Sequence, residues 1–168
     1  WYLLPAKLLS GTFLSIMQAY VFLLICLPFT YFPSLRVAFT DPWAWLYVLP
    51  ALIMAGMMLG ALGLLLSVHI KQLENFAGTM NFVIFPMFFL SSALYPLWRI
   101  RESSDALYRL CTLNPFTYAV ELIRYSLYLK TNGVATLVVV VAFTAFAAVA
   151  IYAYDPARGI MSRKRTGA

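Results

Sequence analysis

The sequence predicts an all-α integral membrane protein, with four transmembrane helices and a re-entrant or interfacial helical hairpin before the last of them. Three observations carry that prediction. Leu9–Phe32, Leu46–Val68, Phe76–Trp98 and Val134–Tyr154 are apolar runs with no charged side chain, each as long as the roughly 20 residues a spanning helix needs. Hydrophobic residues make up 63% of the 168 positions and charged residues 11%, against roughly 25% charged in a soluble domain, so a water-facing surface of normal size is excluded. The charged residues fall between the runs, which makes residues 1–168 a single membrane domain. The formal net charge of +6 is spread over segment ends and one loop, an arrangement suited to anionic headgroups rather than nucleic acid.

The first run follows Lys7, carries Gln18 and Pro28, and breaks at Pro33-Ser34-Leu35-Arg36. A loop through Asp41, Pro42, Trp43 and Trp45 is expected before the second run, with the tryptophans at the level of an interfacial aromatic belt. The second run holds Gly56, Gly60, Gly63 and Ser67 on one face, and small residues at such spacing allow close helix–helix approach in lipid. The turn His69–Asn75 is short enough to make the second and third runs antiparallel neighbours. The third run is introduced by Glu74 and Asn75, carries Gly78 and Asn81, and contains Pro86, which predicts a kink. Polar groups at that depth face protein or water, so Gln18, Asn75 and Asn81 are candidates for a translocation path, with interhelical hydrogen bonding as the plainer reading.

The stretch from Arg99 to Lys130 is apolar enough to suggest a fifth crossing, but that crossing would bury Arg109, Glu121 and Arg124. Each would cost about 2.5–3.5 kcal/mol at mid-membrane even on a lenient scale. The region is therefore read as a short helix over Ser104–Leu113 and another over Pro115–Leu129, with Asn114 as cap and Pro115 at the first helical position. On the second of these, Tyr118, Glu121, Tyr125 and Tyr128 share a face, and Arg124 is placed to pair with Glu121. This predicts either a tyrosine-rich interfacial anchor or a charged hairpin, residues 104–129, closing the outer end of a pathway.

Four crossings put both ends of the chain on one side. Lys7, Lys71, Arg158, Arg163, Lys164 and Arg165 balance Arg36, Arg99, Arg101, Arg109, Arg124 and Lys130 across the membrane. The cluster Arg158–Arg165 lies close behind the last run, where the positive-inside bias acts most strongly, and places both ends in the cytoplasm. The chain begins at Trp1 with no charged n-region or small-residue cleavage site, and is expected to be a fragment lacking upstream spans.

No enzyme signature is present. His69 is the sole histidine, no G-x-S-x-G occurs, and the G-x-x-x-x-G-K-[ST] phosphate loop is absent, so nucleotide hydrolysis is assigned to another chain. Cys26 and Cys111 have no ligand spacing and read as small hydrophobes; no metal or cofactor is assigned to this chain.

Two segments bear a resemblance. Glu74–Leu97, ENFAGTMNFVIFPMFFLSSALYPL, and Leu113–Tyr125, LNPFTYAVELIRY, resemble the signature region of ABC-2 type transporter permeases, the class of drug-resistance and nodulation-factor exporters. The order is an apolar segment N-F-x-x-x-P-x-F-F-L-S-x-x-x-[FY]-P, a polar loop, L-N-P-[FLT]-[TY], an acidic residue and an arginine, then a last span. The resemblance covers nearly all of the chain and the last four of six spans. It implies a permease subunit in the plasma (inner) membrane of a bacterium, paired with a second permease copy in a homodimer or heterodimer. It further implies two ABC ATPase subunits, which would hold the ATP and magnesium. The missing part would hold the amphipathic helix, the first two spans and the main ATPase contact. Asn114, Pro115, Glu121 and Arg124 would shape paired half-membrane helices before the last span. The cargo stays open among a hydrophobic drug, a lipid-linked saccharide and another amphipathic molecule. A non-transporting membrane anchor or assembly subunit of a larger complex is the alternative, and an intramembrane enzyme lacks any catalytic constellation.

Overall fold

A computed structural model describes residues 2–26, 28, 42–70 and 73–154, without the side chains at 3, 42 and 73–76. Among the described residues every regular element is a helix: α1 Leu3–Cys26, α2 Pro42–His69, α3 Leu73–Phe89, α4 Leu97–Ser103, α5 Asp105–Leu113, α6 Pro115–Leu127 and α7 Gly133–Ala153. Leu4–Cys26, Trp43–His69 and Gly133–Ala153 are long and apolar enough to cross a bilayer. The chain is an all-α integral membrane protein. The basic residues Arg36, Lys71 and Arg158–Arg165 that entered the orientation argument lie outside the described residues.

Three boundaries differ from the sequence expectation. The first helix starts at Leu3 rather than Leu9, so Lys7 lies inside α1 instead of ahead of it, and the end expected at Phe32 lies outside the described residues. Trp43 and Trp45 belong to the first turn of α2 rather than to a loop, because Pro42, with its fixed φ and missing N–H, starts a helix at no hydrogen-bond cost. The third apolar run does not continue to Trp98. Its helix passes Pro86, whose carbonyl still accepts from Leu90 N–H at 2.9 Å, and stops at Phe89. Seventeen residues span about 25 Å, a little short of a hydrocarbon core of about 30 Å. The remainder of the run forms a turn over 90–96 and, from Pro96, the short helix α4.

The packing is that of a lipid-dissolved bundle. Seven of the sixteen buried hydrophobic residues are alanines, among them Ala51, Ala55, Ala119 and Ala135, whereas Phe13, Phe22, Phe82, Leu137 and Val141 point outward. Lipid tails solvate large apolar side chains as well as protein does, so close backbone approach through small residues becomes the attraction between helices. The central element is α2, which packs against α1, α3, α6 and α7. Met58, fully buried, sits in a cluster with Ala51 and Ala55 of α2, Ala119 and Leu122 of α6, and Ala135 and Val139 of α7.

The α1–α2 pair is antiparallel: Tyr20 stacks on Trp45 and donates to its carbonyl at 2.6 Å, Thr12 lies at Gly56 and Leu8 at Gly60. A Cβ on Gly56 would stand 3.1 Å from Thr12 Cγ2, and one on Gly60 3.1 Å from Leu8 Cδ2. Gly63 instead faces Met80 of α3. Among the described residues α1 and α3 do not pack on each other, and a cavity of about 290 Å³ opens between them over the glycine face of α2.

Candidate functional site at the α5–α6 hairpin

The hairpin is defined by its caps. Ser104 accepts from Leu107 N–H at the start of α5. Asn114 Oδ1 accepts from Phe116 N–H at 3.0 Å at the start of α6, with Pro115 in the first helical position. Thr117 Oγ1 reaches back to the Cys111 carbonyl at 2.7 Å and closes the bend. At nine and thirteen residues, the two helices extend about 14 and 20 Å, so neither crosses the membrane alone.

The same residues fasten the hairpin to the broken end of α3. Asn114 Nδ2 donates to the carbonyls of Met87 at 2.6 Å and Leu90 at 2.9 Å, taking up acceptors that a helix end leaves free. Ser92 Oγ donates to the Thr117 carbonyl at 3.4 Å, and Arg124 Nη2 donates to the Ser92 carbonyl at 2.7 Å. Ser91, Ser92 and Thr117 are all but inaccessible. A turn at the end of an apolar run exposes backbone groups that lipid cannot satisfy; here α6 supplies the partners, which is why α3 can stop at Phe89.

Arg124 Nη1 also meets Glu121 Oε1 at 2.9 Å, with side-chain exposures of 32% and 11%. A carboxylate this sheltered needs a partner, and Arg124 holds it while bound to the turn. The Asp105–Arg109 pair is different, since both side chains are largely exposed and the expected gain is small. Arg101 stands 5.6 Å from the Tyr108 ring centre and ties α4 to α5. Cys111 is buried, and that burial pushes its thiol above the ordinary range.

Between the 90–96 turn and α6 lies a cleft of about 820 Å³. Leu94, Pro96 and Trp98 form one wall, Tyr118, Glu121, Arg124, Tyr125 and Tyr128 the other, and Lys130 and Asn132 close it on the approach to α7. Leu129 sets the last two: its φ of 56° is left-handed, and Lys130 N–H bonds back to the Tyr125 carbonyl at 3.0 Å. Helices often end this way on glycine, where the conformation carries no Cβ penalty; here leucine bears it.

The remaining candidates are placed as follows. Gln18 is exposed on α1 and Asn81 on α3, two helices without mutual packing among the described residues, so the two are not brought into one site. Asn75 lies in the first turn of α3 with its side chain outside those described. Gly56 and Gly60 meet α1 and Gly63 meets α3. Asn114 and Arg124 both bond to the end of α3 and make one site of attachment, Glu121 enters it through Arg124, and Pro115 starts α6 beside Asn114. Reading residues alone missed the partners of that site, Ser92 and Thr117, and the carbonyls of Met87 and Leu90; the pair Ser91-Ser92 followed by Pro96 inside an apolar run was the available signal of a break.

No curated protein and no solved structure matches the chain. Residues 1–128 match the ABC-2 type transporter family, well over half of the chain, and the chain belongs to that family.

Proposed function

From that membership we propose that this permease is the membrane subunit of an exporter, moving an amphipathic or lipid-linked molecule outward with ATP hydrolysed by two separate subunits. A second permease copy completes the path, both ends of this chain face the cytoplasm of a bacterial inner membrane, and the α5–α6 hairpin stands at the outer boundary. The observation that supports the reading best is the fastening of that hairpin to the interrupted α3 through Asn114, Thr117 and Arg124. A non-transporting anchor offers no reason for an apolar run interrupted after Phe89 and a charged pair held beside the interruption. The chemistry is conformational: closure of the ATPases would rock the permease halves, and this chain would contribute shape, close-packed glycine contacts and a sheltered ion pair.

The test is ATP turnover and outward movement of a lipid-linked or drug cargo, measured in vesicles for the full-length permease with and without its ATPase. Turnover only with the partner, stimulated by cargo, supports the proposal; turnover by the permease alone, or an ATPase indifferent to it, overturns it. Orientation is tested by single cysteines at Ser103 and Ser162 in a background without Cys26 and Cys111. They should label from opposite faces, and labelling from the same face overturns the threading.

A further inference from the structure

The geometry points to the cleft between the 90–96 turn and α6 as a binding site for the headgroup of a zwitterionic phospholipid, with its phosphate at Lys130 and Arg124 and its ammonium at Glu121 among the tyrosine rings. Three features carry this. The first is the charge pattern. Glu121 uses only Oε1 among the described residues, toward Arg124, and it lines the cleft. Arg124 and the exposed Lys130 line the same cleft. The cleft therefore offers a carboxylate and two cations, matching a ligand that carries both signs. A phosphate favours charge-assisted donors, and an ammonium favours a carboxylate flanked by aromatic faces, here Tyr118, Tyr125, Tyr128 and Trp98.

The second feature is position. Lys130 and Asn132 immediately precede the membrane-crossing helix Gly133–Ala153, so the cleft opens at the boundary where headgroups lie. Among its lining residues Leu94 is an exposed apolar side chain, which suits the first carbons of an acyl chain. The third is backbone conformation. Leu129 is held left-handed, and strained positions of this kind persist where the surroundings enforce them; this one turns the chain so that Lys130 joins the cleft. At about 820 Å³, the cleft falls within the roughly 300–1,000 Å³ of small-ligand sites. The inference does not depend on transport, since the site would serve a resident lipid or a cargo.

The experiment is native mass spectrometry of the full chain in detergent, titrated with short-chain phosphatidylethanolamine, short-chain phosphatidylglycerol and free phosphoethanolamine. The ethanolamine lipid should bind roughly tenfold tighter than the glycerol lipid. Lys130→Gln, at an exposed position, should weaken both lipids about tenfold. Glu121→Gln should remove the preference between them, an outcome that a merely structural carboxylate would not produce. Arg109→Gln, outside the cleft, should change nothing. Equal affinity for the two lipids in the unaltered chain, or Lys130→Gln indistinguishable from it, overturns the site. Competition by free phosphoethanolamine shows that the headgroup is what is read; its failure together with unchanged lipid binding in Glu121→Gln shows an apolar lipid contact instead and overturns the assignment. Movement of the ethanolamine lipid in vesicles with the ATPase, lost in Lys130→Gln, identifies cargo. Binding without movement identifies a resident lipid, and either result upholds the site. Because binding is read without ATP, its loss is distinguishable from failure of the transport proposal.

Discussion

Arg124 donates to the Ser92 carbonyl at 2.7 Å, across thirty-two positions of sequence, and its other terminal nitrogen holds Glu121 at 2.9 Å. One guanidinium thus serves both the α6 ion pair and the turn that ends α3. Removing either partner is therefore unequal. Glu121→Gln leaves the Ser92 bond in place, while Arg124→Gln breaks both contacts and strands a carboxylate that is 11% exposed.

Arg124→Gln is expected to cost about 1–3 kcal/mol of stability, the scale for a partly sheltered charge left alone, and Glu121→Gln less. The double variant should lose less than the sum, with a coupling on the order of 1 kcal/mol. Thermal melting and transport rate at matched expression, arranged as a double-mutant cycle, measure this. Strict additivity would show two independent solvated charges.

Asn114 is expected to behave as a bridge rather than a cap. Asparagine and aspartate are nearly equal at a helix N-cap, so Asn114→Asp would be close to neutral if capping of Phe116 N–H were all it did. The structure adds two donations from Nδ2 to Met87 and Leu90, which a carboxylate cannot make and would oppose. Asn114→Asp should lower the melting temperature by an amount corresponding to about 1–3 kcal/mol; an unchanged melting temperature would show the bridge to be energetically idle.

How much of this was legible beforehand follows from which forces are local. Apolar run length and the cost of burying Arg109, Glu121 and Arg124 are properties of the segments themselves, and they anticipated α1, α2, α7 and the division at Asn114-Pro115. The end of α3 is not local. Leu90, Ser91 and Ser92 sit in an apolar run that hydropathy continues to Trp98, and the helix stops because Asn114 and Arg124 satisfy backbone carbonyls there while the Thr117 carbonyl accepts from the Ser92 hydroxyl, all three more than twenty positions away. The cleft is illegible for the same reason, since its walls come from the turn, from α6 and from the approach to α7. The family signature holds both halves of that contact in order, but order along a chain does not say which amide meets which carbonyl.

Cys111 is expected to resist modification. It is 1% exposed, and desolvation raises its thiol pKa, which lowers the reactive thiolate fraction at any given pH. Maleimide labelling of the native protein should be slow at neutral pH and still slow near about pH 9, where an ordinary thiol is largely ionised. Labelling should become complete on unfolding. The sign for stability follows: above the ordinary thiol pKa the unfolded chain loses a proton that the folded chain keeps, so this contribution falls as pH rises. Rapid native labelling of Cys111, followed by peptide mass, would contradict the burial.

Gly56 and Gly60 are expected to differ although each leaves the same 3.1 Å gap to α1. At Gly60 the obstacle is Leu8 Cδ2, the far end of a flexible side chain that can turn aside. At Gly56 it is Cγ2 of Thr12, a short β-branched side chain restricted at χ1, with the Thr12 Cα and Cβ only 3.6 Å away and unable to turn aside. Gly60→Ala should thus be neutral or stabilising, because alanine is favoured over glycine in a helix by up to about 1 kcal/mol. Gly56→Ala should push α1 and α2 apart and cost about 1–3 kcal/mol. Thr12 offers a check on the same contact, since its buried Oγ1 has no hydrogen-bond partner among the described residues. Thr12→Val keeps the methyl against Gly56 and replaces an unsatisfied oxygen, so it should be neutral or stabilising. Melting curves of the three single variants in one detergent decide the matter: equal losses at Gly56 and Gly60 would mean that α1 shifts as a body, and a large loss in Thr12→Val would mean that the hydroxyl has a partner across the bundle.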